Sequence, residues 1–117
     1  MNSFFDWPNY SKEEIEAVSS VLRSGKVNYW TGDEGKKFEE EFASYIGTKY
    51  AIALANGTLA LDLALKSLDI EEGDEIIVTP RSFIASVSCV INAGAIPIFA
   101  EVDQDSGNIS AESISKV

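Results

Sequence analysis

Three turns in the sequence carry residue types that could bind a small ligand. The first, Asn56-Gly57-Thr58, follows a short apolar run and opens a stretch rich in Ala and Leu. A helix that begins there would point unpaired backbone N–H groups at an anion, which the helix dipole also favours. Gly57 would let a phosphate approach the backbone closely, and the Thr58 hydroxyl would add a donor. The alternative is an ordinary helix start in which Asn56 is the N-cap.

The second turn, Pro80–Phe83, follows the β-branched run EIIVT. An aromatic ring at a helix start, such as Phe83, could stack on a flat ligand, although a lone Phe more often fills a core. Arg81 could meet a phosphate or a carboxylate. It could equally be a surface charge, which is the interpretation that we favour.

The third turn, Asn28–Gly32, is a loop that carries the aromatic residues Tyr29 and Trp30. Aromatic side chains in a loop can line a ligand or a contact between subunits. Thr31 could instead cap the next helix together with Glu34 as a capping box. The sequence leaves both interpretations open.

The composition excludes several classes of chemistry. The chain has no His, so His-based acid–base catalysis and most zinc sites are ruled out, and we predict no metal site. The net charge of −10 argues against nucleic-acid binding. The single Cys89 lies in an apolar stretch, which indicates a buried structural thiol and suits a reducing cytoplasm. The start MNSFFDWPNY lacks the basic region of a signal peptide, and no apolar run is long enough to span a membrane.

Helices and strands alternate along most of the predicted chain. The predicted elements, in order, are a helix capped by Ser11 with Glu14 and ended by Gly25, a helix ended by Gly47, a strand over 50–55, a helix over 59–68, a strand over 75–79, a helix capped by Ser82 and ended by Gly94, a strand over 96–102, and a helix opened by Ser110. This order predicts an α/β fold with a largely parallel sheet. Ligands bind beyond the carboxyl ends of strands in such sheets, where the first two turns would lie.

Two stretches carry a resemblance to a known family. The segments YWTGDEGKKFEEEFASYIGTKYAIALANGTLALDLAL and GDEIIVTPRSFIASVSCVINAGAIPIFAEVD resemble the DegT/DnrJ/StrS family of sugar-nucleotide aminotransferases. The likeness runs from about Tyr10 to the end of the chain. Its markers form an ordered set: Thr31-Gly32, Phe38-Glu39, Phe42-Ala43, Gly57-Thr58, Gly73-Asp74-Glu75, Pro80 with Phe83, and Gly94-Ala95 through Asp103. Asn56 stands where the family usually has Ser, and Arg81 where a small or polar residue is usual.

The resemblance implies a fold and an activity. The fold would be that of type I pyridoxal-phosphate aminotransferases, with residues 1–117 as the incomplete amino-terminal part of the large α/β/α cofactor-binding domain. A full-length member would be a cytoplasmic homodimer of polysaccharide biosynthesis. It would use pyridoxal 5'-phosphate to move an amino group, commonly from glutamate, to a nucleotide-linked keto sugar.

The resemblance also assigns roles to individual residues. Gly57, Thr58 and the Leu59 amide would hold the cofactor phosphate, and Phe83 would stack on its pyridine ring. Trp30 and Thr31 would approach the sugar nucleotide. The family's Schiff-base lysine would lie beyond Val117, since none of the seven lysines here has the catalytic context. We therefore expect this chain to contain no catalytic residue and to be inactive alone.

Three alternatives stay open at the level of the sequence. A family member with the lysine replaced would use the same fold for sugar dehydration. A truncated or degenerate domain would be a non-catalytic binding or regulatory partner. A generic phosphate-binding α/β domain would have no relation to pyridoxal phosphate.

Overall fold

Two amphipathic helices form the first part of the chain, and their amino-terminal signals are local in sequence. The structure is a computed structural model that describes residues 8–117. Helix α1 spans Lys12–Ser24 and begins with the predicted capping box: Glu14 N–H donates to Ser11 Oγ at 3.2 Å, and Ser11 N–H donates to Glu14 Oε2 at 2.6 Å. This second bond lowers the pKa of Glu14 from its ordinary value. The predicted start of α1 is confirmed.

Helix α2 spans Glu34–Ile46, and its carboxyl end was correctly predicted while its start was not. Both α1 and α2 end at a glycine in the left-handed conformation, Gly25 and Gly47, as expected. The N-cap of α2 is Asp33, which makes no side-chain capping bond. The alternative capping role of Thr31 is therefore wrong, because that residue lies outside the first turn.

The second part of the chain contains a strand–helix–strand unit. Strand β1, Glu75–Val78, pairs in parallel with β2, Ile96–Phe99, in the register Glu75 to Ile96 through Val78 to Phe99. Helix α4, Ala85–Asn92, connects the two strands, and helix α3, Gly57–Ser67, packs against α4. A short helix α5, Ala111–Ile114, follows and is capped by Ser110 as predicted.

The core of this unit is small and apolar. Val90 is 1% exposed and Cys89 4% exposed, and they belong to one buried cluster with Val78 and Ala95. Cys89 is therefore the buried thiol that the sequence predicts. The cluster fixes α4 on the strand pair, and with it the turn between β1 and α4.

Two predicted strands differ from the structure. Residues 50–55 are not a strand, and Ile52 in this run is 71% exposed rather than buried. A strand exists only when its backbone pairs with a neighbour, and no residue among 8–117 provides that ladder for this run. The predicted strand over 96–102 stops at Phe99, and Val102 makes only an isolated antiparallel bridge to Ile109.

The predicted start of the fourth helix is also wrong. Helix α4 begins at Ala85 after Ile84, and neither Ser82 nor any other side chain caps it. The Ser82 hydroxyl lies 2.7 Å from the Ser86 hydroxyl instead. This hydrogen bond uses the oxygen that a cap would have offered to the backbone.

The chain divides into two compact units between Ala53 and Leu54. Apolar side chains remain exposed in each unit, for example Val18 and Leu22 in the first and Ile91 in the second. Within residues 8–117 no helix combines the length and the hydropathy that crossing a bilayer would require.

Candidate functional site

The amino terminus of α3 is an ordered turn with donors left over. Asn56 has extended backbone angles of φ −166° and ψ 171°, and its Oδ1 accepts the Leu59 N–H at 3.0 Å. The Ala60 N–H donates to the Asn56 carbonyl at 3.2 Å, which is the first helical bond. The N-cap role of Asn56 is thus confirmed. Its side chain accepts one of the backbone N–H groups at the helix start and leaves the others available.

The free donors are those of Gly57 and Thr58. Within residues 8–117, neither backbone N–H has a hydrogen-bond acceptor, and the half-buried Thr58 hydroxyl makes no hydrogen bond. A Cβ placed on Gly57 would meet no atom within 4 Å, so the space beside its backbone is open. Two N–H groups, one hydroxyl and a helix amino terminus form a donor set that suits a phosphate monoester.

The Leu59 amide, unlike those of Gly57 and Thr58, already has a hydrogen-bond acceptor. The resemblance assigns it to the cofactor phosphate, but its hydrogen is already directed to Asn56 Oδ1. A phosphate could receive it only by sharing that hydrogen. The structure therefore brings all three residues together and leaves two of their amides free.

Phe83 lies in the turn that connects β1, which ends at Val78, to α4, which begins at Ala85. Its side chain is 73% exposed, so it does not anchor the core formed by residues 8–117. Its carbonyl accepts the Ser86 N–H at 3.0 Å, which holds the backbone in the first turn of the helix. The ring is therefore an exposed aromatic surface on a fixed backbone at the edge of the sheet where ligands bind in α/β folds.

Arg81 lies in the same turn and is exposed, as the sequence analysis favoured. Its guanidinium covers Gly107, where a Cβ would overlap the Nη1 atom. No carboxylate in residues 8–117 forms an ion pair with it. The two residues are in contact because the glycine has no side chain.

In the first unit, the loop around Trp30 and Thr31 is organised by one amide side chain. Asn28 Oδ1 accepts the backbone N–H of Trp30 at 3.0 Å, the N–H of Thr31 at 3.0 Å and the Thr31 hydroxyl at 3.2 Å. Gly32 is buried, and a Cβ there would overlap the Lys26 carbonyl oxygen. The loop is thus closed tightly on itself. The Trp30 side chain, 89% exposed, projects from it.

Sequence reasoning missed two residues that order this loop. Asn28 carries a recognisable signal, since Asn commonly hydrogen-bonds the backbone two residues further on in a turn. Glu39 belongs to one of the family markers, but nothing in its sequence context indicates its contacts: its Oε2 accepts the Tyr29 hydroxyl at 3.2 Å, and its Oε1 accepts the Ala53 N–H at 2.8 Å. The bond to Glu39 and its charge raise the pKa of Tyr29 above the ordinary value.

Proteins of known name match this chain over nearly all of its length. It is 40% identical over 105 residues to the spore coat polysaccharide biosynthesis protein SpsC of Bacillus subtilis, covering 90% of this chain and 26% of that protein. It is 36% identical over 112 residues to the GDP-perosamine synthase of Vibrio cholerae, covering 93% of this chain and 29% of that protein.

Solved structures match the fold closely. An aminotransferase from Psychrobacter cryohalolentis is 59% identical with a TM-score of 0.92, over 97% of this chain and 29% of its own. Spr1654 from Streptococcus pneumoniae, solved in a PLP-form, is 30% identical with a TM-score of 0.82, over 93% of this chain and 27% of its own. A GDP-4-keto-6-deoxymannose-3-dehydratase with a trapped PLP-glutamate geminal diamine is 28% identical with a TM-score of 0.81, over 93% of this chain and 29% of its own.

These matches establish the family. The DegT/DnrJ/EryC1/StrS aminotransferase family matches residues 8–117, and the chain belongs to it. Its α/β architecture, with a parallel strand pair, is part of the fold of the pyridoxal-phosphate aminotransferases, which confirms the predicted fold class. The chain spans only 26% to 29% of the length of the relatives described above.

Proposed function

We propose that this chain is the amino-terminal part of the cofactor-binding domain of a pyridoxal-phosphate-dependent aminotransferase. The full-length enzyme would transfer an amino group, from glutamate, to a nucleotide-linked keto sugar. The observation that carries the proposal is the donor set at the start of α3, where two free amides and the Thr58 hydroxyl lie beside open space. Membership of the family, with a relative solved in a PLP-form, supports pyridoxal 5'-phosphate as the ligand of that donor set.

The residues present fit the cofactor. Gly57 and Thr58 would hold its phosphate through the donors described above, and Leu59 would share its amide. The exposed ring of Phe83 would stack on the pyridine, since nothing in the core uses it. When bound, pyridoxal 5'-phosphate supplies the electron sink that amino-group transfer needs. The contribution of this chain is to bind and orient that group.

The lysine required for the chemistry would come from another part of the full-length polypeptide. A catalytic lysine needs a lowered pKa, which burial or a neighbouring cation provides. All seven lysines of this chain are exposed. The pKa of Lys37 is even raised, because its Nζ donates to Glu34 Oε1 at 2.8 Å. We expect the 117-residue chain to show no transaminase activity by itself.

The substrate class follows from the relatives. GDP-perosamine synthase and a spore coat polysaccharide protein are among them, which supports a nucleotide sugar and a role in polysaccharide synthesis. Trp30 and Thr31 would contact that substrate, because the loop presents an exposed aromatic face on an ordered backbone. We extend the proposal to a cytoplasmic homodimer, in keeping with this class of enzyme.

Dehydration of a keto sugar is the second candidate. It is favoured by the structural match to a dehydratase that also holds PLP and glutamate. Both reactions would use the same phosphate site, so residues 57–59 and 83 do not separate them.

The product separates the two reactions. The full-length enzyme would be loaded with pyridoxal 5'-phosphate and incubated with ¹⁵N-glutamate and a nucleotide-linked keto sugar, and the product analysed by mass spectrometry. Retention of ¹⁵N in the sugar supports the aminotransferase. A product that has lost water and contains no ¹⁵N identifies the dehydratase, and failure to bind the cofactor would reject both.

A further inference from the structure

The carboxylate of Glu39 joins three segments that are distant in sequence. It belongs to α2, and it accepts one hydrogen bond from the loop before that helix and one from the chain after it. The first comes from the Tyr29 hydroxyl at 3.2 Å, ten residues away, and the second from the Ala53 N–H at 2.8 Å, fourteen residues away. Each carboxylate oxygen therefore holds a different segment.

These two hydrogen bonds differ from the ion pairs that other Glu side chains form on α2 and α5. The pairs Lys37–Glu34 and Lys116–Glu112 join neighbours on a single helix and are exposed, so they contribute little. Glu39 is half-buried, while the adjacent Glu40 is exposed and makes no hydrogen bond within residues 8–117. A carboxylate that accepts a backbone N–H at 2.8 Å forms a charge-assisted hydrogen bond.

The bond to Tyr29 also fixes the neighbouring aromatic residue. The Tyr29 ring packs on Gly35 at the start of α2, where a Cβ would lie 3.1 Å from its Cδ2, and Lys36 Nζ lies 5.7 Å from its centroid. The Trp30 ring meets the Tyr29 ring edge-on, with centroids 6.2 Å apart and planes at 89°. Glu39 thus holds the ring against which Trp30 rests.

We propose that Glu39 is a positioning residue that fixes the loop 28–32 and the segment ending at Ala53 on helix α2, and thereby presents Trp30 and Thr31 to the nucleotide-linked sugar. The second half of this statement rests on the proposed function. The first half rests on the hydrogen bonds alone. Glu39 itself touches neither the substrate nor the cofactor in this proposal.

The experiment compares three variants of the full-length enzyme. Glu39→Ala removes both hydrogen bonds, and Tyr29→Phe removes one. Glu39→Gln keeps an oxygen that accepts the Ala53 N–H, and its side-chain amide N–H can donate a hydrogen bond to the Tyr29 hydroxyl oxygen. KM and kcat are measured for the nucleotide-linked keto sugar and for glutamate, with the cofactor absorbance as a check on loading. Glu40→Ala is the matched control on the same helix.

We expect Glu39→Ala to raise KM for the sugar about tenfold, with KM for glutamate and the cofactor spectrum unchanged. Tyr29→Phe should raise it by a smaller factor, and Glu39→Gln should recover most of the loss. An equal loss for both substrates would indicate a general structural role and overturn the proposal. So would a sugar KM that does not change.

Hydrogen exchange keeps the two proposals distinguishable. Exchange of the amides in residues 26–32 and at Ala53 should accelerate in Glu39→Ala and not in Glu40→Ala, whether or not the enzyme acts on a sugar. Accelerated exchange in Glu39→Ala, with no keto sugar turned over by the unchanged enzyme, would reject the proposed function and support the role of Glu39 in fixing the loop. Unaltered exchange in Glu39→Ala would refute the positioning role directly.

Discussion

Asn56 Oδ1 lies 3.0 Å from the Leu59 amide nitrogen and accepts its hydrogen. This bond gives one of the backbone donors at the start of α3 an acceptor within the protein. The cap satisfies the third amide of the helix, and the amides of Gly57 and Thr58 stay without a partner in the described chain. The helix start is therefore capped without any ligand, which under the proposed function would preorganise it for a phosphate.

The first prediction concerns this cap. Asn56→Ala removes the acceptor for the Leu59 N–H and should destabilise α3 by about 1 kcal/mol, whereas Asn56→Ser keeps a capping oxygen and should stay close to the unchanged protein. Amide exchange in the first turn of α3 measures the difference. Equal exchange in the Ala and Ser variants would contradict the role assigned to Asn56.

The second prediction concerns the Thr58 hydroxyl. Thr58→Val keeps the volume and removes the donor, so it should weaken binding of pyridoxal 5'-phosphate by about 1–3 kcal/mol, which is roughly fivefold to 150-fold. Spectroscopic titration of the full-length protein with the cofactor measures this affinity. Thr58→Ser keeps the hydroxyl and is the matched control. Unchanged affinity in Thr58→Val would contradict the role of the hydroxyl, and a loss in Thr58→Ser would show that the methyl group is also needed.

The third prediction separates the two roles considered for Phe83. Because the side chain is 73% exposed, Phe83→Leu should leave the free energy of unfolding of the cofactor-free protein almost unchanged. The same change should weaken cofactor binding by about 0.5–1.5 kcal/mol through lost stacking. Phe83→Tyr retains a flat ring and should bind normally. Destabilisation of the cofactor-free protein by Phe83→Leu would restore the core role that the structure argues against.

The sequence predicted those features that depend on near neighbours in the chain. The capping box of Ser11 with Glu14 and the glycine that ends α1 involve residues a few positions apart, so their signals are complete within one turn. The N-cap role of Asn56 is of the same kind. The identity of the family followed from an ordered series of such motifs.

Two of the features that sequence reasoning missed depend on distant parts of the chain. Residues 50–55 have the composition of a buried strand, but a strand also needs a partner to hydrogen-bond, and composition does not supply one. Glu39 is one of three consecutive Glu residues, and its contacts with Tyr29 and Ala53 cannot be predicted from that run of identical side chains. Helical periodicity alone would place all three on a solvated surface.

The last prediction concerns the turn between Val102 and Ile109 and its response to acid. Asp103 Oδ1 accepts the Ser106 N–H at 2.8 Å and the Asp105 N–H at 3.2 Å. The bond from the Ser106 backbone, helped by the Ser106 side chain, lowers the pKa of Asp103 below its ordinary value of 3.8. A lowered pKa means that the ionised carboxylate stabilises the folded turn above pH 3.8, and that this contribution is lost as the pH falls through the folded pKa.

A carbon-13 NMR titration of the aspartate carboxyl groups measures this effect in the full-length protein. The resonance that disappears in Asp103→Asn should titrate below pH 3.8. The Asn variant keeps the accepting oxygen but binds no proton, so its turn should lose less stability in acid than the unchanged turn. Asp105→Asn is the matched control, since that side chain makes no hydrogen bond within residues 8–117. A carboxyl of Asp103 that titrates above its ordinary value would show that the two backbone bonds are not formed in solution.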